Sequence, residues 1–328
     1  MKITFKDVGQ GDSIILEWEH NGQAKIGIID CNKKGKSNPV LTHLQRLDYC
    51  EVEFIVLTHP HRDHYSGLQE LLEYIETKQI TVHRFAHTLT HIGKGFWKYF
   101  EVGRNDTQLL RKIMGTSKRL KNSGIIRRMD LLADNTVLEI EDYILIKCMA
   151  PSHDDMEEYM RIVKMDPDVN SKQASQAANL LSAVFHLDIS GYHVLLTSDA
   201  EIFALQGIIE RDAVKLTGRK FKICQLPHHG SIKNHHKFFW DLMTKTNGRH
   251  AVISAGKHRS YSHPSYKVVA HFHDEGYQVH CTNIVNGMEK FLKEQRAASL
   301  LFDTFGVMAE DYMKSIDHVF EFRRNRVS

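Results

Sequence analysis

Short apolar runs separated by polar turns set the rhythm of the chain. Lys2–Val8, Ser13–Glu19 and Lys25–Asp30 alternate or run apolar, with turns at GQGD (9–12) and HNGQ (20–23), and predict a meander of strands. Ser37 followed by Pro39 opens a helix to about Leu47. Val52–Leu57 reads as a short buried strand. Ser66 to about Thr77 reads as a helix with Leu68, Leu71, Leu72 and Ile75 on one face, and Ile80–Phe85 as another strand. A helix is expected at Thr107–Lys121, strands at Thr136–Ile140 and Tyr143–Met149, and a polar loop with a short helix over 152–175. Strands at Leu180–Asp188 and His193–Thr197 flank the turn ISGY (189–192), and a helix at Glu201–Arg211 and a strand at Phe221–Leu226 follow. The remaining pattern predicts a helix near Phe238–Thr244, a strand at Ala251–Ser254, a helix at Ser265–Glu275 and a strand at Gln278–Cys281. The tail predicts a helix at Ala297–Ile316 and a final strand at His318–Arg323. Strands first in a meander, then alternating with helices, indicate mixed sheets in a layered α/β fold rather than a parallel Rossmann sheet.

Composition narrows the class. The 328 residues suffice for one large core, and 42% apolar with 25% charged residues is ordinary for a globular chain. No apolar run approaches a membrane span, and Asp7 interrupts any signal-peptide pattern, so a soluble cytoplasmic protein without membrane contact is expected. The five cysteines include no CxxC pair, which argues against a disulfide framework and a thiolate zinc site. Histidine, with 22 copies, is the abundant ligand type. The net charge of +3 says little about partners. Local charge says more. Between His91 and Met129 stand ten Lys/Arg, among them Arg111, Lys112, Lys118, Arg119 and Lys121, against Glu101 and Asp106. Phe96, Trp97, Tyr99 and Phe100 lie in the same stretch. Basic residues mixed with aromatics can hold phosphates and stack bases; they can equally form a solvated helix face.

The chemistry concentrates in LTHPHRDHYSG (57–67). His59 and His61 are two apart and leave an extended segment on the same side, while Asp63 and His64 follow where the chain turns. One imidazole pair can bind one metal, and the following carboxylate and imidazole a second. Imidazole and carboxylate without thiolate suit Zn²⁺, Mn²⁺ or Fe. Two such ions can activate water against a phosphodiester or an acyl group.

This stretch resembles the HxHxDH motif of the metallo-β-lactamase superfamily. FKDVGQGDS (5–13), IIDC (28–31), NLLSAVFHL (179–187), LLTSDAE (195–201), LPHHGS (226–231) and ISAGKHRSYSHPS (253–265) resemble, in order, motifs of the branch typified by the hydrolase domain of the competence protein ComEC. The resemblance covers residues 1–285. It implies a four-layer αββα sandwich of two mixed β-sheets flanked by helices, with two divalent ions, Zn or Mn, at one edge. Residues 1–285 would then form the hydrolase domain, with the basic insert at about 91–129, and 286–328 a C-terminal extension packed on the same domain.

The resemblance implies His59, His61, Asp63, His64, Asp199 and His229 as metal ligands, with Asp199 bridging. His229 aligns with the ligand of the superfamily's Gly-His-Gly form. His228 is then a wall of the site or a substrate contact, with a place on the metal left open to it and to Asn179. Asn179 stands where many members carry a third metal histidine. Asp30 and Asp12 are expected beside the metals rather than on them. Asp63 and His263 are the candidate catalytic groups, Asp63 as base and His263 as phosphate contact or acid. Ser198 replaces the usual glycine before Asp199 and SYSHP replaces YGHP, and neither change removes a ligand.

The function expected is a dinuclear metal-dependent hydrolase, a phosphodiesterase or nuclease acting on nucleic acid, DNA before RNA. Two alternatives compete: a hydrolase of a small phosphodiester or acyl ester, and a metal-stabilised, non-catalytic module that binds a protein partner. Leu300, Leu301, Phe302, Phe305, Met308 and Tyr312 could form a partner-facing stripe in the tail. Neither metal identity nor oligomeric state is legible.

Overall fold

The structure is a computed structural model that describes residues 1–47, 49–89, 104–163, 173, 175–245, 247–300 and 316–322. Among these residues the strands form two seven-stranded sheets. The first sheet is built from β1 (Lys2–Phe5), β2 (Ile14–His20), β3 (Gln23–Ile29), β4 (Glu51–Leu57), β5 (Thr81–His87), β6 (Ile126–Leu131) and β14 (His318–Glu321). Its order is β14-β1-β2-β3-β4-β5-β6. The β14–β1–β2–β3 pairings are antiparallel and the β3–β4–β5–β6 pairings parallel. The second sheet comprises β7 (Val137–Glu141), β8 (Ile144–Ala150), β9 (Val184–Ile189), β10 (Tyr192–Leu196), β11 (Phe221–Gln225), β12 (Arg249–Ile253) and β13 (Tyr277–Cys281). Its order, β13-β12-β11-β10-β9-β8-β7, repeats the same scheme, antiparallel from β7 to β10 and parallel from β10 to β13.

Each sheet buries both faces. Ile3, Ile14, Leu16, Phe54 and Val56 meet Phe185, Leu187, Val194, Leu196 and Ile223 between the sheets. The other face of the first sheet, with Ile28, Ile55 and Phe85, packs under α1 (Pro39–Leu47), α3 (Leu68–Lys78) and α4 (Arg104–Asn122). That of the second, with Leu195, Cys224 and Ala251, packs under α6 (Ile202–Leu216) and α8 (Tyr266–Asp274). The result is helix–sheet–sheet–helix, two mixed sheets flanked by helices, as expected. No helix among the described residues is long and apolar enough to cross a membrane.

Several elements differ from the pattern. β6 is hidden inside the basic insert, because Arg127 and Arg128 are exposed on this edge strand and break the alternation. Ala178–Leu181 is a turn of 3₁₀-helix rather than the start of a strand; its apolar side chains are buried either way, so the run looks continuous in sequence. The short helix expected within 152–175 is present as α5 (His153–Val163). A short α7 (Lys237–Asp241) stands for the helix expected at Phe238–Thr244. A helix that the pattern did not announce, α9 (Asn286–Leu300), precedes and overlaps the start of the helix expected at Ala297–Ile316, of which 301–315 lie outside the described residues. Phe96, Trp97, Tyr99 and Phe100 lie outside the described residues, as do 164–172 and the tail stripe from Leu301 to Tyr312, and of the Leu300 side chain nothing is described.

The strand order places the chemistry. Both parallel halves end at the same edge, and the loops after β3, β4, β10, β11 and β12 carry the residues singled out above. The β1–β2 loop closes this edge from below. Gly11 has φ +122°, and a Cβ there would stand 2.2 Å from the Asp63 carbonyl oxygen and 2.3 Å from Asn32 Nδ2. Only glycine fits this approach. Gly11→Ala is therefore expected to cost roughly 1–3 kcal/mol in urea unfolding, and to displace the Asp63 loop, read as weakened metal affinity.

Candidate metal centre

The histidine loop is positioned by a buried carboxylate. Asp30, in the left-handed region (φ +59°) just after β3, accepts hydrogen bonds from Thr58 N (2.8 Å) and Thr58 Oγ1 (2.7 Å). His64 Nδ1 donates to Asp30 Oδ2 at 2.7 Å, which leaves His64 Nε2 to face the cluster. A four-residue helix, α2 (Arg62–Tyr65), starts directly after His61 and turns Asp63 and His64 inward. His61 Nε2 donates to the Ser175 carbonyl (2.8 Å), so its Nδ1 meets His59 Nε2 at 3.1 Å. Across the edge, His229 Nδ1 donates to the Ser254 carbonyl (2.8 Å) and presents Nε2 inward. His228 and His229 both hold positive φ, +48° and +56°, as does Ser198 at +46°. Three non-glycine excursions of this kind in loops facing one point are a pattern of functional sites.

Asp199, just past β10, lies at the centre. Its Oδ2 is 3.7 Å from His59 Nε2 and 4.0 Å from His228 Nε2. Its Oδ1 is 3.6 Å from His64 Nε2 and 3.5 Å from His229 Nε2, and His229 Nε2 is 3.3 Å from Asp63 Oδ2. His64 Nε2, His229 Nε2 and Asp199 Oδ1 are buried and have no hydrogen-bond partner. Orphaned buried polar atoms are costly, and these three converge. Ligand atoms of His59, His64 and Asp199, and of Asp63, His64 and His229, lie within 4.8 Å of one another in each group. The donor set, imidazole and carboxylate, fits a divalent cation.

Electrostatics point the same way. Burial opposes charge on His64, but Asp199 and Asp30 outweigh it and hold its pKa well above the imidazole range. The same balance, burial against Asp199 and Asp63, pushes His229 up to about 9. Asp63 and Asp199 stay below the usual carboxylate range, because neighbouring histidines outweigh their burial. Burial, and then the charge of His64, keeps His59 well below the imidazole range, and burial lowers His61. Burial raises Asp12 and Asp30. The centre attracts positive charge to the point where the lone pairs meet.

The structure gathers most of the expected residues and separates others. His263 packs against His228, with ring centroids 5.6 Å apart. Burial and the charges of His228 and His229 push its pKa down to about 4, so it is neutral at pH 7. Asn179 lines the same cleft; its Nδ2 donates to Glu201 Oε1 (3.1 Å), and its buried Oδ1 has no hydrogen-bond partner. Asp12 accepts from Gln225 Nε2 (2.9 Å) and comes within 4.8 Å of the ligand atoms of Asp199 and His229. Of the five basic candidates on α4, Lys112 lines the cleft, while Arg111, Lys118, Arg119 and Lys121 do not. Lys112 pairs with Glu73 (2.8 Å), and Arg119 grips Glu76 through Nε (3.0 Å) and Nη2 (2.8 Å). Sequence reading missed Glu201, which also accepts from Asn234 Nδ2 (3.0 Å), and Gln225, which ties Asp12 to β11. Glu201 ends the LLTSDAE stretch, and that position beside Asp199 was the available clue.

Residues 35–165 match the family model of the metallo-beta-lactamase superfamily. No curated protein matches the chain in sequence. Among solved structures, the chain is similar to Zn²⁺-bound PqqB from Methylobacterium extorquens (9% identity, 85% of this chain and 97% of that one, TM-score 0.44). It is also similar to the metallo-beta-lactamase fold protein YhfI from Bacillus subtilis (9% identity, 85% and 95% covered, TM-score 0.44). A diphosphatase of the PhnP family shows 12% identity, with 77% and 85% covered and a TM-score of 0.38. The family match, with the two mixed sheets and the His/Asp centre at their edge, supports membership of the metallo-beta-lactamase superfamily.

Proposed function

We propose that the chain is a dinuclear metal-dependent phosphodiesterase acting on nucleic acid, of the ComEC-like branch and working in the cytoplasm. The observation that carries the reading is the division of labour at Asp199. One carboxylate oxygen faces His59 and His228, and the other faces His64 and His229. This suits two ions, Zn²⁺ or Mn²⁺: His59 and His61 would hold one, Asp63, His64 and His229 the other, and Asp199 would serve both. When bound, such a pair activates water and offsets charge on a phosphoryl group. Asp12, Asp30 and Asp199 are buried, whereas the Asp63 side chain is 34% exposed and opens to the cleft, where it can take a proton from the attacking water. His228, Asn179 and His263 line that cleft and can hydrogen-bond the phosphate oxygens. A neutral His263 suits that contact better than proton delivery.

The cleft has a volume of about 1820 Å³ and runs open between the loops of both sheets, room for a strand of several nucleotides. One observation favours a second reading, a small phosphodiester: three of the five lysines and arginines that line the cleft among the described residues answer nearby acids, Lys33 with Glu70, Lys112 with Glu73 and Arg161 with Glu158. Turnover of bis-p-nitrophenyl phosphate with Mn²⁺ or Zn²⁺ tests the shared chemistry, and a non-catalytic scaffold gives none. Labelled oligonucleotides then separate the substrates. Under the nucleic-acid reading, neutralising Arg111, Lys118 and Lys121 weakens binding and flattens the log–log salt dependence, by roughly one unit for each phosphate left without its cation. An unchanged affinity and slope favours the small substrate.

A further inference from the structure

Among the described residues, several exposed large apolar side chains gather in one cleft. Ile202 (41% exposed), Phe203 (50%), Ile232 (47%) and Tyr261 (54%) all line the cleft of the metal centre. They sit on separate segments, each continuous with a loop that supplies the centre. Ile202 and Phe203 follow Asp199, Ile232 follows His229, and Tyr261 precedes His263. Tyr261 is also the middle of a ring stack. Its plane lies 20° from that of His258 at 4.7 Å and 10° from that of His263 at 5.7 Å. His263 in turn meets His228, whose Nε2 is 4.0 Å from Asp199. Three near-parallel rings, continued edge-on by His228, thus lead along the cleft toward Asp199, and the half-exposed Phe203 lines the same cleft.

Large aromatics left in water beside a polar centre indicate a ligand with a flat apolar part next to its charged part. The acids beside the cleft cations leave little net positive charge for tracking a backbone. A planar group held by stacking supplies affinity without it.

We infer that Phe203 and the His258–Tyr261–His263 stack form a nucleobase site, which holds one unpaired base of the nucleotide whose phosphate lies at the metal centre. The inference rests on the phosphodiesterase reading for where the phosphate sits. A base inside a duplex offers no free face to these rings, so the site selects single-stranded or short substrates over duplex.

Calorimetry on the metal-loaded protein tests this with adenosine 5′-monophosphate and ribose 5-phosphate, which share the phosphate and sugar and differ by the base. The monophosphate is expected to bind about tenfold tighter or more. Phe203→Ala should remove most of that ratio while leaving ribose 5-phosphate binding unchanged, Phe203→Trp should keep it, and Tyr261→Ala, which also unstacks His263, should lower the ratio. Both positions are half-exposed, so the variants retain the core. Equal affinities for the two compounds in the unmodified protein, or a ratio that survives both alanine variants, overturn the inference. A protein that binds both compounds with the expected ratio yet never cleaves bis-p-nitrophenyl phosphate keeps the base site and loses the hydrolase reading.

Discussion

Asp63→Ala is expected to lower turnover of a phosphodiester by roughly 10²–10⁴-fold while leaving the fold in place. Asp63 touches the centre at two points with different consequences. Its Oδ2 lies 3.3 Å from His229 Nε2, where the second ion would sit, and its side chain also opens to the cleft. The backbone carries the local structure instead: the Asp63 carbonyl accepts from Asp12 N at 3.1 Å, and that bond survives the substitution. Circular dichroism and thermal melting should therefore match the parent, whereas kcat collapses. A variant that turns over at the parent rate removes Asp63 from the chemistry.

The adjacent histidines offer the second large effect. His229 is buried and fixed by its bond to the Ser254 carbonyl, and its Nε2 is an orphaned atom facing Asp63 and Asp199. His228 is 23% exposed, lines the cleft and stands farther from Asp199, at 4.0 Å. His229→Ala should therefore empty the second ion site as well as stop turnover, with an affinity loss beyond the roughly 10–100-fold that removal of an outer hydrogen-bond partner causes. His228→Ala should slow turnover and keep occupancy nearly intact. Mass spectrometry of both metal-loaded variants decides it. Loss of metal in His228→Ala with retention in His229→Ala reverses the assignment.

The features legible in the sequence are those that depend on short-range spacing. His59, His61, Asp63 and His64 follow one strand within six positions, and Asp199 and His229 each stand just past an apolar run; β10 and β11 are adjacent and parallel, and stacking the sheet that holds β4 on theirs brings the three loops to one edge. What escaped depends on distant partners. Arg119 and Lys112 looked like open phosphate contacts, but α3 brings Glu76 and Glu73 against them from more than thirty residues away. β6 is obscured because an edge strand exposes its arginines and needs no clean alternation. The start of α9 is hard to read because Asn286 to Arg296 carries mostly polar side chains, and Met288 and Phe291 are what anchor it to the core. The ring row at Tyr261 arises from a turn that brings residues two and three apart into stacks, and pattern alone does not announce it.

The central claim is that Asp199 divides the centre into two adjoining cation sites. Native mass spectrometry of the full chain, titrated with Zn²⁺ and with Mn²⁺, tests it most directly. Saturation at two ions per chain is expected with at least one of these metals, and loss of both in Asp199→Ala. A chain that takes up no ion, stops at one, or keeps two in Asp199→Ala contradicts it.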